Sequence, residues 1–362
     1  MSEPVRVAVL WTCLSGYLNA CLKDLAAREN VELFVCHSNP SVNAPFDSAQ
    51  FEWMRRRIAW SVRPDEQALI AQLEAFKPDV LVLCGWHIPA YRKAARKLRN
   101  RAWRVMTMDN CWSAKPKQML GILVGPLILP SLADAAWVPG ERQVSYAQML
   151  GFPQHKILRG LYACDTASLS GIHREQKSDG RDAFIFIGRF VAEKGIATLL
   201  DAYARYRERV SNPWPLDCYG SGPLRAMMEG REGIEVRGFV QPYELNKGLD
   251  ESTCLVLPSK FEPWGVAVHE ATAAGLLVIA SGKVGATVHL VQPGSNGFIF
   301  DSGDVEACAA AMQRVHGLSK ARRAEMSAMS RTLSSLYSPQ RWSQTLLESF
   351  AAAQQTSEKP AP

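Results

Sequence analysis

The chain has 362 residues, of which 47% are hydrophobic and 21% are charged, and its formal net charge is +6. This composition excludes an intrinsically disordered chain, and the length exceeds one ordinary α/β core, so we expect two domains. The nine cysteines are odd in number and contain no C-x-x-C pair, a pattern that favours reduced thiols over disulfides or a zinc site. We therefore expect no bound metal.

The first residues, MSEPVRVAVLW, lead directly into a strand-like run and lack the basic and apolar regions of a signal peptide. The longest apolar run, Met119–Pro130, is shorter than the roughly 20 residues of a membrane-spanning helix. It also contains two prolines. We therefore expect a cytoplasmic protein without a membrane-spanning segment.

Residues 1–165 alternate strand-like apolar runs with helical stretches. Runs such as VRVAVL and DVLVLC are apolar throughout, as are parallel strands that are buried on both faces. The pattern predicts a doubly wound, Rossmann-like lobe. Its expected strands are Val5–Leu10, Val31–Cys36, Asp79–Cys84 and Trp103–Met108, and its expected helices include Leu18–Arg28 and Pro64–Phe76.

The excess positive charge lies in the same part of the chain. Residues 1–165 contain 20 basic and 14 acidic residues, whereas residues 166–362 contain 21 of each. Arg55–Arg57 and Tyr91–Arg104 carry much of the excess and indicate an anionic partner, either a phosphorylated acceptor or the acidic inner face of a membrane. A solvated basic helix face is the alternative that this pattern allows.

A polar stretch without apolar periodicity, residues 166–182, is expected to be an interdomain linker. Alternation of strands and helices resumes after it and predicts a second Rossmann-like lobe over residues 183–337. Residues 338–353 are expected to form a helix that returns to the first lobe, and residues 354–362 a disordered tail. Expected strands of the second lobe are Ala183–Ile187, Leu216–Tyr219, Glu235–Val240, Cys254–Leu257 and Leu276–Ala280.

The first candidate site follows the strand AFIFI. Arg189, Lys194 and Gly195 lie there in a G-R-x4-K-G motif at the start of the next helix. Ligands of open α/β sheets bind beyond the carboxyl ends of the strands. Two cations beside a helix N-terminus suit a diphosphate, because the free amides and the helix dipole add to their charge. Two exposed loop cations are the other interpretation.

The second candidate site is the segment VLPSKFEPWGVAVHEATAAG. Glu262 precedes a helix expected to begin near Trp264, whose amide, with those of Gly265 and Val266, would bind a sugar or a phosphate. Glu270 lies about one and a half turns into that helix among apolar residues, where a carboxylate needs a polar partner such as a ribose hydroxyl. Alternatively, both acids only favour the helix dipole.

Together these motifs resemble the retaining family-four glycosyltransferases, which have the GT-B fold of two Rossmann-like lobes facing across a cleft. The resemblance rests on G-R-x4-K-G, CYGSGP, RGFV, PSKFEPWG, the E-x7-E pair and NGFIF, in this order between residues 183 and 301. It implies an enzyme that transfers a sugar from a nucleotide-diphosphate donor to a glycan or lipid-linked acceptor. Retention of the anomeric configuration and the absence of a cofactor are also implied by the resemblance.

The resemblance also implies roles for individual residues. Arg189 and Lys194 would hold the donor diphosphate and offset the charge of the departing nucleotide, as a metal ion does in other enzymes. Glu262 would meet the transferred sugar beside the amides of Trp264–Val266. The chain contains no D-x-D run, which agrees with a metal-independent reaction. The remaining implied contacts are those of the ribose with Glu270 and of the base with Phe239 and Val240.

The first lobe departs from the family pattern. Many members have two adjacent glycines after the first strand, where this chain has only Gly16 in LSGYLNA, and we expect Gly16 to lie near the substrate. Many members also have a histidine after the fourth strand, where this chain reads Met-Asp-Asn around Asp109. Either Asp109 or His87, in CGWHIPAY, would take that polar role. A lone histidine such as His87 also fits a structural role.

The α/β chains of this size also include dehydrogenases, sugar-nucleotide epimerases and bilobal ligand-binding proteins. A dehydrogenase would need G-x-G-x-x-G after the first strand, and only Gly16 stands there. A sugar-nucleotide epimerase would use the same lobes with acid and base groups that the sequence does not identify. A non-catalytic bilobal ligand-binding protein would close on a small solute. We expect no nucleic-acid partner, and a peripheral contact with an anionic membrane is a further expectation.

Overall fold

The computed structural model of the chain describes residues 3–39, 45–172 and 182–358. The chain forms two compact units, each built around its own sheet. The first unit consists of Met1–Ala163 and Pro339–Pro362, and the second of Cys164–Ser338. No helix within the described ranges combines the length and the apolar character that a membrane-spanning segment requires.

The first unit is a parallel sheet with helices between successive strands. Its described strands are β1 (Val5–Cys13), β2 (Val31–Ser38), β3 (Arg57–Trp60), β4 (Val80–Cys84), β5 (Trp103–Thr107), β6 (Ala135–Trp137) and β7 (Ile157–Leu158). Within these ranges the strand order is β3-β2-β1-β4-β5-β6-β7, with every pair parallel. The helices are α1 (Gly16–Ala26), α2 (Glu66–Phe76), α3 (Pro89–Lys97), α4 (Pro116–Ile128) and α5 (Glu141–Met149).

The second unit has the same plan. Its strands are β8 (Phe184–Ile187), β9 (Leu216–Tyr219), β10 (Ile234–Gly238), β11 (Cys254–Leu257), β12 (Leu277–Ser281) and β13 (Gly297–Phe300). In the described part of this unit they form a parallel sheet in the order β10-β9-β8-β11-β12-β13. Its helices are α6 (Thr166–Ser170), α7 (Ile196–Arg209), α8 (Pro242–Asp250), α9 (Val266–Ala273), α10 (Thr287–Leu290), α11 (Val305–His316) and α12 (Lys320–Ser335).

A last helix, α13 (Pro339–Glu358), belongs to the first unit. The Trp342 ring stacks on Trp137 of β6 with 4.6 Å between ring centroids, and its indole Nε1 donates a hydrogen bond to the Leu161 carbonyl at 2.8 Å. Both indole rings are buried. A buried aromatic pair of this size, with its polar nitrogen satisfied, fixes the helix on the sheet.

The predicted fold class of two Rossmann-like parallel-sheet lobes is confirmed for each unit, because β4 and β11 are buried on both faces as their apolar runs require. Three local expectations differ from the structure. Part of the expected linker is the short helix α6, whose Asp165 side chain caps the Ser168 amide, and residues 173–181 lie outside the described residues. The helix α13 continues through residues 354–358, where we expected disorder, and residues 359–362 are not described. The strand expected at Glu235–Val240 ends at Gly238.

Candidate functional site

The loops after β8 and β11 meet at the carboxyl edge of the second sheet. Gly195, just before α7, has a φ of 72°, and a Cβ atom added there would lie 2.1 Å from the Pro258 carbonyl oxygen. Only glycine permits such an approach of two backbones. The carbonyl of Glu193 accepts a hydrogen bond from the Lys260 amide at 2.7 Å. The two candidate motifs, distant in sequence, are therefore held side by side.

This packing brings two of the predicted site residues into direct contact. The Lys194 ammonium group forms an ion pair with the Glu262 carboxylate. Their side chains are only 15% and 13% exposed, respectively. An ion pair with so little solvent contact is screened less by salt and water than a surface ion pair. Each charge therefore needs the other, or a ligand group that replaces it, to offset the cost of its burial.

The loop after β9 joins the same edge. The Phe190 amide donates to the Ser221 carbonyl at 2.8 Å, and the Leu224 amide donates to the Phe190 carbonyl at 3.0 Å. Gly220 lies so close to the first loop that an added Cβ would be 1.9 Å from the Gly188 oxygen. The glycines of CYGSGP thus hold the Arg189 loop in place, while the Arg189 side chain itself is exposed.

The helix that carries the second candidate site begins later than expected. It starts at Val266 after Gly265, whose φ is 100°, so Trp264 lies before it rather than in its first turn. The Trp264 ring is 2% exposed and packs against His289 and Tyr337, so this residue anchors the loop with its side chain. Its carbonyl accepts a hydrogen bond from the Ala286 amide at 2.7 Å.

Glu270 is the fifth residue of α9 and is half-buried. Burial raises the pKa of its carboxyl group from 4.5 to about 7. A carboxyl group with a raised pKa in a largely apolar helix is typical of functional sites, although structural acids also behave in this way. Phe239 and Val240 are half-buried in the loop directly after β10. They therefore follow the carboxyl end of a neighbouring strand of the same sheet.

The first unit contains a cavity of about 430 Å³ at the carboxyl ends of β1, β4 and β5. His87 and Asp109 both line it, with His87 exposed and Asp109 half-buried. The Asp109 carboxylate accepts a hydrogen bond from the Tyr162 hydroxyl at 3.1 Å. Gly16 begins α1 directly before Tyr17, another lining residue.

The sequence reasoning missed the aromatic residues of this cavity. Tyr17 and Tyr162 meet edge to face with ring centroids 5.1 Å apart, and burial raises the pKa of Tyr17 to about 12 and that of Tyr162 well above its usual value of 10. Both hydroxyls therefore remain protonated at neutral pH and can donate. Trp11 and Trp86 add two further rings. Each of the four lies at, or shortly after, a strand end, which is the signal that could have identified them.

The basic residues of α3 are partly neutralised. Lys93 forms an ion pair with Glu66, and Lys97 forms one with Glu74 at 2.7 Å, both acids lying on α2. Within the described ranges, no group of three or more histidine, cysteine, aspartate or glutamate side chains is arranged to hold a metal ion.

Two parallel-sheet units, each with its candidate site residues at the carboxyl ends of its strands, are the architecture of the GT-B fold class. Residues 181–317 match the family model of glycosyl transferases group 1. The match confirms the resemblance at the level of the group for that part of the chain, while the retaining subtype stays a prediction.

Similar proteins agree with this assignment. An uncharacterized glycosyltransferase of Methanocaldococcus jannaschii is 32% identical over 126 residues, which are 33% of this chain and 32% of that protein. The chain thus spans about a third of the length of this curated relative. A glycosyltransferase structure from Rickettsia africae has a TM-score of 0.75 at 12% identity, covering 97% of this chain and 99% of that one. Anabaena HepE in complex with UDP and glucose has a TM-score of 0.69 at 16% identity, covering 95% and 99%. The two structures support the fold.

Proposed function

We propose that the protein is a retaining, metal-independent glycosyltransferase that moves a sugar from a nucleotide-diphosphate donor to a glycan or lipid-linked acceptor. The contact between Lys194 and Glu262, inside a group 1 domain, is the observation that carries the proposal. A cation suited to the donor diphosphate would then lie next to a carboxylate suited to the donor sugar. HepE, a structural neighbour, was solved with UDP and glucose, which fits a nucleotide-sugar donor.

The donor diphosphate would take the place of Glu262 beside Lys194, with the exposed Arg189 as its second cation. The bond between the anomeric carbon and the diphosphate oxygen then breaks, and its electron pair stays on the diphosphate. The acceptor oxygen forms the new bond to the anomeric carbon, and the acceptor proton passes to the departing diphosphate. Fixed positive charge lowers this barrier because negative charge grows on the leaving group.

Glu262, released from Lys194, would accept hydrogen bonds from hydroxyl groups of the transferred sugar. Glu270 would bind the ribose, since hydroxyl donors would stabilise the carboxylate that burial alone disfavours. Phe239 and Val240 would line the base pocket.

The acceptor would bind in the first unit. Its cavity offers aromatic surface together with a few polar groups, the combination that recognises amphipathic ligands such as sugars. Asp109, oriented by Tyr162, is the preferred polar group for a substrate hydroxyl, with His87 as the alternative and Gly16 close by. We place the reaction in the cytoplasm, at the inner face of a membrane when the acceptor is lipid-linked.

Two alanine variants test the donor assignment. Glu270→Ala should weaken the binding of both free nucleotide and donor roughly tenfold to a hundredfold, because a charge-assisted hydrogen bond is worth about 1.5–3 kcal/mol. Glu262→Ala should not weaken nucleotide affinity, because the diphosphate displaces Glu262 from Lys194 in any case. It should lower turnover, since Glu262 then contacts the sugar. Calorimetric titration with the nucleoside diphosphate and steady-state rates on the same preparations separate the two effects.

The parent protein provides the control against a non-catalytic function. UDP, GDP and ADP are compared by thermal shift, and the nucleotide that matches the donor should raise the midpoint by mass action. A solute-binding protein would respond to none of the three. If Glu262→Ala loses nucleotide affinity while Glu270→Ala keeps it, the two roles are exchanged. Full binding and full rate in both variants would remove both residues from the site.

A further inference from the structure

The helix α4 presents an apolar face to solvent. Its Met119, Leu120, Leu123 and Leu127 side chains are between 55% and 82% exposed. At 3.6 residues per turn these four positions fall within an arc of about 100°. The four form one continuous stripe, hereafter the α4 stripe, whereas isolated apolar side chains are ordinary on protein surfaces.

The opposite face of α4 explains why the large side chains point outward. The buried residues of this helix are Gly121 and Gly125. A Cβ atom at Gly125 would lie 2.9 Å from the Leu150 carbonyl oxygen, and one at Gly121 would lie 3.4 Å from the Tyr146 hydroxyl. The helix thus approaches the core most closely through its glycines, with Ile122 and Ile128 partly buried against the core. In an ordinary amphipathic helix, by contrast, most of the large apolar residues face the core.

The charged residues of α4 and of the segments directly flanking it, residues 110–133, are of one sign. Residues 110–133 contain no aspartate or glutamate, while Lys115 and Lys117 lie at the start of the helix and are exposed. By contrast, Lys93 and Lys97 of α3 already have acidic partners on α2. The exposed Lys117 is therefore better placed than these α3 lysines to meet an external anionic surface.

We propose that α4 lies in the plane of an anionic bilayer surface, with the α4 stripe buried at the boundary of the acyl chains and its lysines at the headgroups. Leucine and methionine side chains flanked by lysine are typical of interfacial helices. The exposed face lacks the tyrosine, tryptophan and arginine side chains that dominate protein interfaces, which favours lipid over a protein partner.

The location of α4 connects this surface to the acceptor site, and in this respect the inference rests on the proposed function. Tyr146 and Leu150, on which the glycine face of α4 packs, also line the cavity that contains Asp109. A lipid-linked acceptor embedded beside α4 would have its polar end next to that cavity. The inference therefore names a membrane-anchored acceptor as the substrate class.

Vesicle co-sedimentation tests the docking surface. The vesicles are made of phosphatidylcholine alone or of equimolar phosphatidylcholine and phosphatidylglycerol. The parent protein should prefer the anionic vesicles, and Leu123→Glu/Leu127→Glu should lower that affinity at least roughly tenfold, because two apolar side chains lose their burial. Lys117→Glu should lower binding to anionic vesicles and leave binding to neutral ones unchanged, and added salt should reduce this difference. The matched control is Val62→Glu, an exposed apolar residue of the same unit outside any helix or strand.

Three results would overturn the inference. In the first, the double leucine variant binds anionic vesicles as tightly as Val62→Glu. In the second, the parent binds neither kind of vesicle. In the third, light scattering shows a parent dimer that the leucine variant dissociates, so that a second copy covers the stripe. Nucleotide titration of each variant checks folding and keeps the two proposals apart, since vesicle binding without nucleotide binding would refute only the donor assignment.

Discussion

Replacing Glu270 with glutamine should stabilise the second unit at alkaline pH while leaving it nearly unchanged at acidic pH. Burial raises the pKa of this carboxyl group from 4.5 to about 7 in the folded protein. Each pKa unit corresponds to about 1.4 kcal/mol, so keeping the ionised form in the folded state costs about 3 kcal/mol. This value is an upper bound, because the side chain retains some solvent exposure. The neutral amide of glutamine does not carry this cost.

The sign of the pH dependence follows from proton binding. Between pH 4.5 and 7 the folded state holds a proton that the unfolded state has released, so the stability of the parent falls as the pH rises through this window. The stability of the glutamine variant does not have this dependence on pH, because its amide does not ionise. For a unit of this size a change of about 3 kcal/mol shifts the melting temperature by roughly 6–12 °C.

Thermal unfolding of the ligand-free parent and the variant at several pH values measures the difference. The matched control is Glu235→Gln, an exposed carboxylate on β10 of the same unit. The stability gain should be nearly absent at the acidic end of the window and complete above about pH 8. A gain that is equal at both ends, or no gain at all, would refute the assignment of a buried, ionised Glu270 and remove the physical reason for its ribose contact.

Two further predictions concern the donor loop. Transfer activity should survive EDTA, because Arg189 and Lys194 can neutralise the leaving diphosphate, and loss of activity that Mg²⁺ restores would contradict this role. Gly195→Ala should weaken nucleotide binding and destabilise the second unit by more than the roughly 1 kcal/mol of backbone strain alone, since its Cβ would overlap the Pro258 carbonyl. Gly230→Ala is the control, because Gly230 has a similar φ of 74° but no atom near the added Cβ. Equal effects of the two substitutions in urea unfolding and nucleotide titration would disprove the importance of the close approach.

The fold class could be predicted from the sequence because its signals are local. A run such as Cys254–Leu257 is apolar on both faces and is followed by a helix after a loop, and this pattern by itself specifies a buried parallel strand. The exact ends of the strands and helices could not be predicted as well as the fold class. The helix α9 begins at Val266 rather than near Trp264 because a left-handed Gly265 and the buried Trp264 ring fix the preceding loop, and neither effect is visible in local periodicity.

The candidate donor site was predictable as a set of residues but not as a geometry. Lys194 and Glu262 are 68 positions apart, and their contact exists because Gly195 and Pro258 bring two loops within backbone distance. The site roles of Tyr17 and Tyr162 beside Asp109 were harder to predict from the sequence, since an aromatic residue after a strand is often part of the hydrophobic core. The hydrogen bond from the Tyr162 hydroxyl to Asp109 joins two segments of the first unit that lie 53 positions apart.

The sequence by itself determined that this chain forms two parallel α/β units and that cations and carboxylates follow the strands of the second. Only the tertiary structure decided which of these groups touch and which apolar residues remain in water. The run from Met119 to Pro130 is uniformly apolar in the sequence, yet Gly121 and Gly125 face the interior while Leu120, Leu123 and Leu127 face outward. Hydrophobicity favours burial for every residue of such a run, and the close approach of Leu150, which only glycine admits, determines which face is buried.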